Sequence, residues 1–264
     1  MGVRAADIRL FRAWTVARLR ILRRLPRASF FTFVFPLILF VLIGGVNTGE
    51  IKVATDPVVR IDAAQYYAPS LGIFSLLTAC YTSVIFAMAN AKEQGILKRV
   101  RGTPLPPPIY VAAVMTSAVI AGMAAVTLMF TVAVAFFGVK IYADLLPAAI
   151  VTLVLGGYAL AAMGMFVSTF VKKADSAPAV ANITMFPILF LSGIFFPTVG
   201  FPDWLNTLVD IFPVSHIVHA FESCFSPFTT APGFDGSDLA VIVAWFVAAS
   251  VLASRRFRFE SESD

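Results

Sequence analysis

Cysteine and histidine are almost missing: the 264 residues hold two of each. Cys80 sits inside an apolar run and Cys224 lies far from it in sequence. Neither a disulfide framework nor a cysteine-based metal spacing is available, and both read as packing residues. Charge is scarce too. Asp, Glu, Lys and Arg make up 13% of the chain, against about 25% in ordinary soluble domains, which excludes a fully solvated surface. There is no GxxxxGK[ST] phosphate loop; Gly44, Gly45 and Gly49 are followed by Glu50 at the end of an apolar run, so this chain is not expected to bind ATP itself. Ser192-Gly193 does not complete the GxSG pattern of an intramembrane serine protease.

What the chain has in quantity is apolar surface: 59% of its residues are hydrophobic and the mean hydropathy is +0.87. That composition describes an integral membrane protein. A net charge of +5 and a pI of about 9.4 raise the question of nucleic acid, but the basic residues sit in short connections between apolar runs and not on a solvated face, so no nucleic-acid partner is expected. Residues 4–25 interleave seven arginines with Ile8, Phe11, Trp14, Ile21 and Leu22 at three- and four-residue spacing. The pattern predicts a helix lying in the membrane interface, its arginines reaching for anionic headgroups while the apolar stripe sinks toward acyl chains. Six apolar runs follow, at 29–46, 66–91, 109–137, 145–171, 178–197 and 238–254, each close to or beyond what a spanning helix of about 20 residues needs. Gly156, Gly157 and Gly164 in the fourth are expected to let helix backbones approach closely. No Asp lies at central depth in spans two to five, which argues against a proton-coupled carrier or an ion pump.

The most informative polar stretch is KEQGILKRVRGTPLPPP from Lys92 to Pro108, with Lys92, Lys98, Arg99 and Arg101 against Glu93 alone. A short basic helix ended by prolines, entered by one span and left by another, is built to project from the bilayer toward a soluble partner. Counting sides of six spans, 17 of the 20 Lys and Arg fall with the termini, this stretch and the Lys172-Lys173 turn, and only Lys52, Arg60 and Lys140 fall opposite. Both termini are therefore expected in the cytoplasm. The segment 203–226 is apolar enough for helices but too short to cross, and Pro213 divides it. It reads as two half-helices that dip into the outer leaflet and return. His216 and His219, at i, i+3 with Glu222 continuing the face, offer a metal spacing in principle; with no further His or Cys nearby they read instead as polar residues lining an exit, and no metal site is assigned.

These residues resemble the permease subunit of ABC-2 type (type V) exporters, most closely those of the daunorubicin-resistance kind. KEQGILKRVRGTPLP (Lys92 to Pro106), FLSGIFFP (Phe190 to Pro197) and FPDWLNTLVDIFPVSHIVHAF (Phe201 to Phe221) are similar to the family's connection between spans two and three, its fifth span and its re-entrant hairpin. Glu222 departs from the basic residue that many members carry there. The resemblance implies an all-α fold of six spans with an interfacial helix, a coupling helix at 92–104 and a re-entrant hairpin at 203–226. It further implies two copies of the permease with two ATP-binding subunits that hold ATP and Mg, and no cofactor in this chain. Glu93, Gly95, Leu97, Lys98, Arg99, Arg101, Thr103 and Pro104 would form the coupling helix.

The expected function is ATP-driven export of a lipophilic or amphipathic compound (a drug, antibiotic or lipid) across a bacterial cytoplasmic membrane, as in multidrug efflux and antibiotic resistance. Export of a polysaccharide or lipid-linked glycan is the alternative, and an intramembrane enzyme using Ser192 or His216 a more distant one. Polarity at helical spacing on spans two and five marks Phe74, Thr78, Tyr81, Thr82, Asn182, Met185, Phe186, Phe190 and Ser192 as the candidate pathway.

Overall fold

The computed structural model describes residues 5–24, 29–46, 49–55, 58–96, 99, 106–195 and 202–256. Nine helices dominate these residues: α1 (Ala5–Arg24), α2 (Phe30–Val46), α3 (Ala63–Glu93), α4 (Pro107–Phe137), α5 (Leu146–Ser168), α6 (Ala177–Leu191), α7 (Asp203–Val209), α8 (Pro213–Ser223) and α9 (Gly236–Arg256). Five of them are long and apolar enough to cross a membrane: α3, α4 and α9, and, each with the 3-10 turn that leads into it, α5 counted from Ala143 and α6 counted from Ala174; α2 is apolar but shorter than these spans. Two short helices, α7 and α8, occupy the segment read as half-helices, and Pro213 opens α8 where its missing N–H costs nothing.

One element was not expected. The polar connection after α2 contains an antiparallel hairpin, β1 (Glu50–Thr55) and β2 (Val58–Asp62), with a register irregularity between Lys52 and Ala54. Its base is closed by Ala63 N–H donating to Gly49 O (3.1 Å), and Asp62 caps α3 by accepting from Ala64 N–H (3.0 Å).

α3 is the core of the bundle, since nearly every residue of its first half is buried. Pro69 and a π-turn over Thr78–Thr82 each interrupt its regular hydrogen-bond ladder. The glycines of α5 do what their size allows. A Cβ on Gly164 would lie 2.6 Å from the Tyr81 carbonyl oxygen of the π-turn, and one on Gly156 would meet the Ile217 side chain of α8 at 3.0 Å. The backbone of α5 thus touches that of α3, as small residues permit where lipid gives helices no hydrophobic drive to associate.

Side-chain bonds gather the helix ends into two poles. At one, Lys92 Nζ donates to Ser168 O (3.2 Å) and Val171 O (3.5 Å), Arg256 sits 4.1 Å from the centre of the Phe170 ring, and Trp14 of α1 packs edge-on against Tyr110 (5.3 Å). At the other, the Gln65 amide donates to Lys140 O (3.0 Å) and Phe225 O (2.8 Å) and accepts from Lys140 N–H (2.8 Å), and Tyr66 Oη donates to Gly193 O (2.8 Å). The first pole carries Arg18, Lys92, Lys172 and Arg256; the second carries the hairpin and α8. On α1, Thr15 and Trp14 face α4, while Arg9, Arg12, Arg20 and Arg24 are exposed. The stripe read as sinking into acyl chains is therefore spent partly on α4.

Candidate functional site

At the basic pole α3 stops at Glu93 because Gly95 takes a left-handed conformation (φ +63°), its N–H donating to Lys92 O (3.0 Å). The chain then turns: Arg99 N–H donates to Gly95 O (3.2 Å), and Arg99 Nη2 donates to Gln94 O (3.0 Å). Glu93, at the end of α3, and Arg99, beyond it, are both exposed, and Lys92 bolts the last turn of α3 to the end of α5. Leu97, Lys98, Arg101, Thr103 and Pro104 lie outside the described residues.

At the opposite pole the two histidines share one carboxylate. His216 Nδ1 lies 2.7 Å from Asp238 Oδ1 and His219 Nδ1 lies 2.6 Å from Asp238 Oδ2. His216 Nε2 lies 2.9 Å from the Asp210 carbonyl, so both its nitrogens face acceptors, a geometry that the doubly protonated ring satisfies. Burial opposes that charge, but the bonds to Asp238 and Asp210 outweigh it and raise the pKa of His216. For His219 the Asp238 bond is the largest influence, and its pKa rises as well.

Glu222 does not continue this face. Its Oε1 lies 2.5 Å from Ser70 Oγ, which also donates to Tyr66 O (2.7 Å). One hydroxyl proton cannot serve two acceptors; both contacts are satisfied when Glu222 carries a proton and donates it to Ser70. Burial pushes the Glu222 carboxyl up from 4.5 to about 8, against the opposing pull of the Ser70 bond and the His219 charge. A raised acid stabilises the fold fully below the unfolded value and loses that contribution as pH rises through the folded one. Wild-type thermal stability should therefore fall between about pH 5 and pH 9, and Glu222→Gln, which keeps a hydrogen bond to Ser70 without a charge, should flatten that fall. Melting curves of both proteins at the two pH values check this; parallel curves would contradict it.

Over residues 9–225 the chain matches the ABC-2 type transporter family. It belongs to that family. It is 22% identical over 184 residues, 70% of this chain and 70% of the relative, to the inner membrane transport permease YadH of Escherichia coli K12. The YadH proteins of Escherichia coli O157:H7 and Shigella flexneri match to the same extent. The chain is thus a multi-pass transmembrane ABC-2 permease, consistent with its apolar helices.

Within this ABC-2 permease the candidate pathway residues divide. Tyr81 Oη donates to Thr184 Oγ1 (2.7 Å) and Thr82 Oγ1 donates to Met185 Sδ (3.3 Å), so α3 and α6 meet at the π-turn. Phe74 is buried between Phe35 (6.2 Å) and Phe195 (5.9 Å), and Thr78 bonds back to Phe74 O (2.9 Å). Asn182, Phe186 and Phe190 instead lie on the outward face of α6 with Ile183, which is 73% exposed. Ser192 is buried and donates to Leu189 O (3.1 Å), while the described side-chain-to-side-chain bonds of both histidines run to Asp238. Tyr66, Ser70 and Asp238 went unremarked in the sequence. The signal for Asp238 was present as Asp235 and Asp238 opening the last span shortly after the histidine pair.

Proposed function

We propose that this permease is the membrane half of an ATP-driven exporter that carries a lipophilic or amphipathic compound outward through a bacterial cytoplasmic membrane. Two copies act with two ATP-binding subunits, which supply ATP and Mg, and α2 serves as the first of six spans with α7 and α8 as the re-entrant hairpin. The observation that carries the reading is the exposed pair Glu93 and Arg99 where the chain leaves α3, whose last turn Lys92 bonds to the end of α5, on a family member without a phosphate loop of its own. A partner that pushes on this turn moves two spans at once. The pole carrying it is assigned to the cytoplasm on the distribution of Lys and Arg.

The cargo is read as lipophilic because the α3–α6 seam is lined by aromatic and hydroxyl groups, without a charge among the candidate residues, and the outward face of α6 presents Phe186 and Phe190. Reconstitution with the ATP-binding subunit should reveal lipophilic compounds that raise ATP turnover. Glycan lipids alone raising it would select the glycan reading. Labelling of Arg99→Cys from outside intact cells should fail, and labelling there would overturn the orientation.

A further inference from the structure

The far pole holds a constellation that the coupling proposed above does not use. His219, Asp235 and Asp238 each bring one ligand atom, a ring nitrogen and two carboxylate oxygens, within 4.8 Å of one another. We propose that these three side chains form a binding site for a divalent transition metal of the Zn2+ class, tying α8 to the head of α9.

Three features beyond proximity support the assignment. Asp238 is held from behind: His216 occupies its Oδ1, and His216 is itself fixed by the Asp210 carbonyl. Support of this kind, in which an outer group fixes a ligand's orientation, is how metal sites keep their geometry. Asp235 is also fixed, since its Oδ1 accepts from Ser237 N–H (3.0 Å), Ser237 Oγ (2.5 Å) and Asp238 N–H (3.2 Å), capping α9. His219 is the movable member. Its side chain is 70% exposed, against 8% for Asp238, so a hydrated ion can reach the site and water can fill a fourth position.

The donor set selects the metal. One imidazole and two carboxylates suit zinc, whereas magnesium and calcium favour oxygen alone. In the structure His219 Nδ1 and Asp238 Oδ2 lie 2.6 Å apart, a separation that calls for a bridging proton between them. Ligands sharing a tetrahedral zinc at about 2.0–2.2 Å lie farther apart than this, so binding requires the exposed imidazole to swing outward and the bridging proton to leave.

The test uses the full permease in lipid nanodiscs with any polyhistidine tag removed, dialysed against ZnCl2 and assayed for bound metal by mass spectrometry. About one zinc per chain is expected at roughly 10 μM free metal, with a rise in melting temperature as mass action requires. His219→Gln and Asp235→Asn should each weaken binding about 10- to 100-fold while the protein stays monodisperse. A large excess of Mg2+ should not displace the zinc. Less than about a tenth of a zinc per chain at roughly 100 μM, or equal binding by wild type and His219→Gln, would overturn the site.

Discussion

Arg99→Glu is expected to abolish substrate-stimulated ATP turnover in the reconstituted complex while the permease itself stays folded. Arg99 is exposed, and its one described side-chain bond runs back to the Gln94 carbonyl, so reversing its charge removes little internal stabilisation. Surface substitutions of this kind fall within about 0.5 kcal/mol. Docking is another matter. A like-charge contact across an interface costs several kcal/mol, and each 1.4 kcal/mol is about tenfold in an equilibrium, so a loss of coupling on the order of 100-fold is reasonable. Glu93→Ala should act in the same direction more weakly, because it removes a charge without creating a repulsion. Arg99→Lys should retain most coupling, which separates loss of charge from loss of the side chain. Melting temperature and ATP turnover must be read together: a normal melt with silent turnover supports the coupling role, and normal export by Arg99→Glu refutes it.

The rods of this fold were legible because lipid imposes a long uninterrupted apolar run on any helix that crosses it, and those runs stand at 66–91, 109–137 and 145–171 in the sequence. The helices observed there extend or trim these limits by a few residues. The hairpin at 50–62 was not legible, since the polar residues around it outweigh a short alternation of Ile51, Val53, Val59 and Ile61. Spacing alone puts Glu222 on the histidine face, since it follows at another i+3 step. Each such step falls about 60° short of a full turn, so by the second step the side chain has rotated about 120° away from His216 and meets Ser70 of α3. Asp238 could not be paired with the histidines from spacing alone, since 22 residues separate it from His216. The candidate pathway divided for a related reason: helical spacing groups residues by face but does not say which face meets a neighbour.

The close contact between α5 and the π-turn of α3 carries the second large effect. Gly164→Leu should lower the melting temperature by on the order of 5–10 °C and cut the yield of monodisperse protein, because overpacking a filled interior costs about 1–3 kcal/mol even where neighbours can give. Here the neighbour cannot give easily. The first atom that a new Cβ meets is the Tyr81 carbonyl oxygen at 2.6 Å, followed by Tyr81 C and Cα at 3.2 Å, all backbone. Moving them shifts a turn whose side chains hold α6 through Thr184 and Met185, so the disturbance passes to the seam where the pathway is proposed. Gly156→Ala supplies the contrast, since the added carbon meets the branched end of Ile217 at 3.0–3.1 Å. All three contacts are side-chain carbons beyond Cβ, so Ile217→Ala, which removes them, should relieve the strain. Gly164→Leu has no equivalent single-site relief, because no side-chain truncation moves a carbonyl. Equal melting temperatures for Gly164→Leu and wild type would mean that the two backbones do not approach as closely as the Tyr81 contact requires.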